Sequence, residues 1–306
     1  MENAAADLSL TIPEPRNHGF TTTTEVPLYW VAYGPADADR LLMLHGGPGA
    51  DHAYLLPQML HLAEKYNVIL YDQRGGGKSK SDEHHPVTID THVTDLDTVV
   101  KELGMDAPSI VAYSFGALIA LHYCLETRKS ATIRKPARLA MIDPAPLRRD
   151  WRKMFEDEFT KRQNGDVIRG MREALVASNL RETDPAAYKQ RTFELAVAGY
   201  FADPEKARDL TPFRITGRVQ QSVWESIGAD YDLLSRLSPM GFPTLFVHGR
   251  DDPIPMASSI EGAKAMDAQL VLLDDCGHVP YVEQPGQLFA ALDEFLAASD
   301  STATRG

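Results

Sequence analysis

Ala112-Tyr113-Ser114-Phe115-Gly116 ends one pattern and begins another. Before it, Ser109–Tyr113 is a short β-rich run; after it, Phe115–Leu125 reads as a helix. A strand that turns sharply into a helix lifts the residue at the turn above the edge of a sheet and exposes its side chain. The positions two before and two after that residue must be small, so that helix and strand can approach. Here they are Ala112 and Gly116, and Ala117 with Ala120 keeps the same helix face thin. The raised residue is a serine.

Six further β-rich runs flank this turn: Leu28–Tyr33, Leu41–His45, Val68–Asp72, Arg138–Asp143, Thr244–His248 and Gln269–Leu273. From residue 41 onward they are almost continuously apolar, as strands covered on both faces of a parallel sheet must be. Helical patterns separate them. Val93, Leu96, Val100 and Leu103 share one face, with Asp90 as the expected N-cap and Gly104 just past the end. Leu288, Phe289, Leu292, Phe295 and Leu296 form another apolar face after Pro285. This alternation predicts an α/β fold with a mostly parallel, doubly wound sheet and ligands at the carboxyl ends of its strands. Residues 144–243 interrupt the rhythm. They carry Trp151, Phe155, Phe159, Leu175, Tyr188, Phe193 and Trp224 among charged residues, and a structureless loop of that length would not suit a compact domain. They are expected to form a helical cap inserted between two core strands, with 16–143 and 244–298 as the core and 1–15 and 299–306 as flexible ends.

Across 306 residues the net charge is −12, with no basic cluster to offset it. Such a field repels polyanions, so nucleic acid is not an expected partner. No apolar run approaches the roughly 18 residues of a membrane span, and the first residues show no charged region followed by an apolar one. A cytoplasmic protein without membrane contact is expected. Two cysteines, Cys124 and Cys276, make neither a disulfide framework nor a four-ligand zinc site.

Four other segments bear on chemistry. His45-Gly46-Gly47-Pro48-Gly49 directly follows a strand, and a loop without side chains can bring backbone N–H groups to a reacting carbonyl. Gly47 is the expected first donor, with Gly46 as fallback, and Phe115, the residue after the serine, supplies the second. Asp72-Gln73-Arg74-Gly75-Gly76-Gly77-Lys78-Ser79 ends like a phosphate loop but lacks the first glycine of that motif; it reads as a turn in which Asp72 and Arg74 pin loops. Finally, Val247-His248-Gly249-Arg250-Asp251-Asp252-Pro253 and Cys276-Gly277-His278-Val279-Pro280 each follow a strand. Serine, acid and histidine therefore come in the order Ser114, Asp252, His278, the chain order of one sheet-based hydrolase fold and not of the serine proteases.

Taken together, His-Gly-Gly-Pro-Gly, Asp-Gln-Arg-Gly-x-Gly-x-Ser, the serine turn, Gly-Arg-x-Asp and Gly-His-x-Pro resemble the proline iminopeptidase branch of the α/β hydrolases, from about residue 18 to 298. The resemblance implies an α/β-hydrolase fold and a cofactor-free, metal-free serine hydrolase with Ser114 as nucleophile, His278 as base and Asp252 as acid. Family spacing selects Asp252 over Asp251, and Asp143, at another strand end, is the alternative acid. It also implies a small-molecule or short-peptide substrate with a free N-terminus, whose amine the family holds with cap glutamates; Glu194, Glu225 and Asp230 are the candidates here. The sequence departs from the pattern at Ala112, Phe115 and Pro253, the last standing where an acid is expected. Hydrolysis of an ester, lactone or general amide is the rival reading, and a ligand receptor on a slow hydrolase scaffold the remoter one.

Overall fold

The computed structural model describes residues 12–298, in which eight strands form one sheet. They are β1 (Asn17–Phe20), β2 (Tyr29–Tyr33), β3 (Arg40–Leu44), β4 (Asn67–Tyr71), β5 (Ser109–Tyr113), β6 (Arg138–Ile142), β7 (Thr244–Gly249) and β8 (Gln269–Leu273), in the spatial order β1-β2-β4-β3-β5-β6-β7-β8. β1 and β2 pair antiparallel, as do β2 and β4; every other pairing is parallel. β1 had no signature in the sequence, since Asn17–Phe20 is an exposed edge segment with no apolar run. Of the expected tails at 1–15 and 299–306, residues 1–11 and 299–306 lie outside the described residues.

The strand pattern explains the two faces. Leu42, Ile110, Ala112, Met141 and Phe246 enter one core; Leu41, Met43, Val111, Ala140, Leu245 and Val247 enter the other. Successive side chains point to opposite faces, and both faces are covered, so every position must be apolar. Helices α1 (Ile89–Glu102) and α2 (Phe115–Thr127) cover the first face. The N-cap of α1 is Thr88 rather than Asp90: its hydroxyl accepts from the Thr91 N–H, and Asp90 lies in the first turn, where the helix dipole favours an acid.

Between β6 and β7 the chain runs through α3 (Arg149–Gln163), α4 (Asp166–Ala177), α5 (Leu180–Thr183), α6 (Pro185–Val197) and α7 (Gly217–Ile227), with short 3-10 turns. After β7 come α8 (Met256–Met266), α9 (Pro280–Glu283) and α10 (Pro285–Ala297). Leu288, Phe289 and Leu292 of α10 close the second face. No helix of the described residues is long and apolar enough to cross a membrane.

Strand order reverses between β3 and β5, which lie side by side with Leu44 opposite Ala112. Open sheets bind ligands at such a switch point. The loops leaving these two strands carry His45-Gly46-Gly47 and Ser114. A Cβ on Gly116 would stand 2.6 Å from the carbonyl oxygens of Leu44 and His45, so α2 packs on β3 only because residue 116 has no side chain. Gly116→Ala should cost about 1–3 kcal/mol by overpacking. Gly170→Ala, in an exposed turn of α4 with nothing within 4 Å, should gain up to about 1 kcal/mol from helix propensity. Chemical denaturation of the two variants measures both signs; equal effects would remove the argument from contact.

Candidate active site

Ser114 sits between β5 and α2 with φ 53° and ψ −118°, in the left-handed half of backbone space. It occupies the N-cap position, yet its hydroxyl caps no helix N–H, which leaves the oxygen free to face the sheet edge. His278, between β8 and α9, brings Nε2 to 3.0 Å from Ser114 Oγ. Its Nδ1 lies 2.8 Å from Asp252 Oδ2 in the loop after β7. A carboxylate only accepts, so Nδ1 carries the hydrogen and Nε2 accepts from the serine. The structure thus brings together three side chains from three strand ends, 138 residues apart in sequence between the first two. Asp251 is exposed and gives only backbone contacts, with its N–H on the Cys276 carbonyl.

The imidazole is held from several sides. The Tyr113 hydroxyl donates to the His278 carbonyl at 2.7 Å, and the His278 N–H donates to the Tyr200 carbonyl at 2.8 Å. The Tyr200 ring stacks on the imidazole at 5.2 Å. Glu283, buried in α9, accepts from the N–H groups of Gly277 and Ala202 at 2.8 Å each, tying the histidine loop to the segment after α6. Burial pushes the His278 imidazole below its ordinary value. The same burial raises the Asp252 carboxyl, against which the Ile254 N–H (2.7 Å) acts.

On the other side of Ser114, a Cβ on Gly46 would come within 2.7 Å of the serine Cβ. Gly46 gives its N–H to the Tyr54 hydroxyl at 2.6 Å, so the fallback donor is already used. Gly47, at φ +52°, and Phe115 line the cavity beside the serine. As the first residue of α2, Phe115 has no intrahelical acceptor for its N–H. The glycine loop is braced from behind. His45 accepts from the Gln73 N–H at 3.1 Å, and the Gln73 side-chain amide donates to the His45 carbonyl at 2.6 Å. Asp72 accepts from His52 and the Lys78 N–H, and Arg74 makes a two-pronged pair with Asp95 at 2.8 and 2.7 Å. These contacts make the segment Asp72–Ser79 a buttress of the loop.

The cavity at Ser114 has a volume of about 750 Å³ and is lined from the helical segment by Arg149, Arg152, Phe155, Glu156, Trp224 and Glu225. Arg152 pairs with Glu156 at 2.8 Å and lies 3.8 Å over the Trp224 ring. Of the three candidate acids only Glu225 is here. Glu194 is buried against Arg191 at 2.7 Å and lines a separate groove with Met171 and Leu175; Asp230 belongs to a surface depression beside Arg148 and Lys153. Neither lines the cavity of Ser114. Glu156 and Glu283 escaped the sequence reading: Glu156 is one acid among several in a charged helix, and the only sign of Glu283 was an acid within an otherwise apolar stretch. A larger cavity of about 1130 Å³, between residues 12–15 and α6, contains none of Ser114, Asp252 or His278. Asp143, Asp252 and His278 are the one group of three side chains among the described residues spaced for a metal ion, but His278 and Asp252 are hydrogen-bonded to each other within it.

Comparison with known proteins agrees with this architecture. A family model described as alpha/beta hydrolase family matches residues 41–292. A proline iminopeptidase of Thermoplasma volcanium is 26% identical over 288 residues, covering 88% of this chain and 92% of the relative. The crystal structure of a proline iminopeptidase-related protein from Thermus thermophilus superposes with a TM-score of 0.70 at 23% identity, over 92% of this chain and 97% of that one. A 2-hydroxy-6-oxo-6-phenylhexa-2,4-dienoate hydrolase from a Rhodococcus strain superposes with a TM-score of 0.65 at 19% identity, over 94% and 100%. With its mostly parallel sheet, its serine at the strand-to-helix turn and a family match across most of its length, the chain belongs to the alpha/beta hydrolase family and is an enzyme of hydrolytic activity.

Proposed function

We propose that the chain is a serine hydrolase that cleaves small amides or peptides with a free N-terminus through an acyl-enzyme. The observation that carries this reading is the continuous relay from Ser114 Oγ to His278 (3.0 Å) to Asp252 (2.8 Å). Ser114 attacks the substrate carbonyl while His278 takes its proton and then delivers it to the leaving amine. Asp252 holds the tautomer that leaves Nε2 free and stabilises the imidazolium once it forms. The N–H groups of Gly47 and Phe115 receive the oxyanion. Water then enters by the same relay and releases the acid.

Residues 144–243 act as the cap. Tyr200 shields one face of the imidazole, and Glu225 meets the substrate's ammonium group. Glu156 is already neutralised by Arg152, whereas the Glu225 carboxylate bonds a neutral amide, Gln221 Nε2 at 2.8 Å. The similarity to proline iminopeptidases supports the same substrate class.

Three tests follow from these roles. Ser114→Ala should lose on the order of 10⁶-fold in turnover and all labelling by a fluorophosphonate probe. Asp252→Asn should lose on the order of 10⁴-fold, while Asp251→Asn changes little; labelling that survives in Ser114→Ala refutes the assignment. The pH profile is the second. Only neutral imidazole accepts the serine proton, and burial lowers the His278 value. Activity should therefore persist as pH falls through the ordinary histidine value of about 6.5 and be lost only below it. A kcat/KM that halves at or above 6.5 contradicts this.

The third concerns the amine. Proline and alanine anilides, their N-acetylated forms and a short-chain phenyl ester are compared side by side. A lost charge-assisted hydrogen bond is worth about 1.5–3 kcal/mol, so acetylation should lower kcat/KM by roughly 10- to 100-fold, and Glu225→Gln should abolish the difference. Equal rates on blocked substrates and on the ester would make the enzyme a general esterase or amidase.

A further inference from the structure

Directly behind Asp252 lies a second carboxyl that the relay does not use. Asp143 follows β6 with its backbone at φ +41° and is entirely buried. One donor atom each from Asp143, Asp252 and His278 lies within 4.8 Å of the other two. Asp143 Oδ1 accepts from the Gly249 N–H at 2.8 Å, but Oδ2, equally buried, has no hydrogen-bond partner.

Three of the donors nearby are committed elsewhere. His278 Nδ1–H goes to Asp252, the Tyr113 hydroxyl to the His278 carbonyl, and the Cys276 thiol to the Gly277 carbonyl. His248 Nδ1 stands 3.6 Å from Asp143 Oδ1, yet it is not a counter-ion. Its Nε2 faces the Ile254 carbonyl at 3.2 Å and so carries the hydrogen, leaving Nδ1 to accept from the Ser259 hydroxyl at 2.9 Å. Glu283, the remaining acid near this cluster, is spent on backbone N–H groups. An ionised Asp143 would thus be a buried charge with no cation, beside a second carboxylate, which is among the costliest arrangements in a protein interior.

We propose that Asp143 is a positioning residue that holds its own proton on Oδ2 and donates it to the Asp252 carboxylate. Asp252 then has three donors, the Ile254 N–H, the His278 Nδ1–H and the Asp143 hydroxyl, and remains ionised without any cation of its own. The proton stays on Asp143 throughout the cycle; only His278 exchanges protons with serine, leaving group and water. Burial and the neighbouring Asp252 charge both raise the Asp143 carboxyl; Asp252, itself raised by burial, is drawn back by the hydrogen bonds from Ile254 and Asp143. Asp143 is accordingly not a rival to Asp252 but the source of its third hydrogen bond. The inference rests on the assignment of Asp252 as the acid of the relay.

The test compares Asp143→Asn with Asp143→Val in the full-length enzyme. An asparagine can accept from Gly249 through its oxygen and donate to Asp252 through its amide, as the protonated acid does. Asp143→Val should lose about 10- to 100-fold in kcat with KM little altered, the worth of a hydrogen bond to a charged group, and Asp143→Asn should recover most of that loss. Infrared difference spectra of the resting proteins at pH 7, wild type minus Asp143→Asn, should show the carbonyl stretch of one protonated carboxylic acid. A carboxylate band there instead, or a fall of order 10⁴-fold in Asp143→Asn, overturns the proposal, because Asp143 would then be ionised. Full activity in Asp143→Val overturns it too. The infrared measurement needs no turnover, so it stands even if Ser114 is not the nucleophile. A fully active Asp252→Asn would instead refute the relay itself.

Discussion

A left-handed serine at the end of β5 is the constraint on which the rest of the structure depends. A non-glycine residue at φ 53° and ψ −118° costs on the order of 1–3 kcal/mol and persists only where the surroundings overdetermine it. Here they do. The Ser114 N–H bonds the Ile142 carbonyl, and its own carbonyl accepts from Ala117 and Ala145, so neighbouring β6 and the first turn of α2 both grip the turn. Gly46 and Gly116 supply the space, since a Cβ at either would overlap the serine or the β3 backbone. The same turn denies Ser114 the usual work of a helix cap and leaves its oxygen to the histidine.

The other half of the site depends on where His278 is held. None of its partners is a neighbour in sequence: Asp252 comes from the β7 loop, Tyr113 from β5, and the Tyr200 carbonyl from the segment after α6. Glu283 joins this segment to the histidine loop through buried N–H groups. Core and helical insertion are therefore coupled at the imidazole. Any shift of residues 198–203 relative to the core would move the base with respect to the serine. Behind this, Asp143 and Asp252 form a buried carboxyl pair, in which the proposed proton on Asp143 removes the repulsion of two like charges.

The cavity above the serine is mixed in character. Phe155, Trp224 and Tyr200 supply aromatic walls, while Arg149, Arg152, Glu156 and Glu225 supply opposed charges. Arg152 is sandwiched between Glu156 and the Trp224 ring, a geometry that fixes a guanidinium as part of the wall. Arg149 and Arg152 both pair with Glu156, whereas the Glu225 carboxylate bonds the neutral Gln221 amide.

What the sequence determined by itself was everything that local pattern and strand-end chemistry dictate. Apolar runs specified the parallel strands, and two of them, the buried Ser109–Tyr113 and the half-buried edge Gln269–Leu273, match the observed strands at both ends. Ser114, Asp252 and His278 could be singled out because each follows its own strand. The edge strand β1 was not legible, because its four residues are mostly exposed and include no apolar run. Tertiary structure alone decided the acids. Glu194, Glu225 and Asp230 look alike along the chain, but only Glu225 lines the cavity of the serine, because the packing of the helical segment, not residue type, sets which side chains meet it. It likewise removed Gly46 as a donor through the Tyr54 hydroxyl and brought Asp143 against Asp252. Those are contacts between segments 8 and 109 residues apart, made when the sheet closes its strand ends into one place, and no local pattern encodes them.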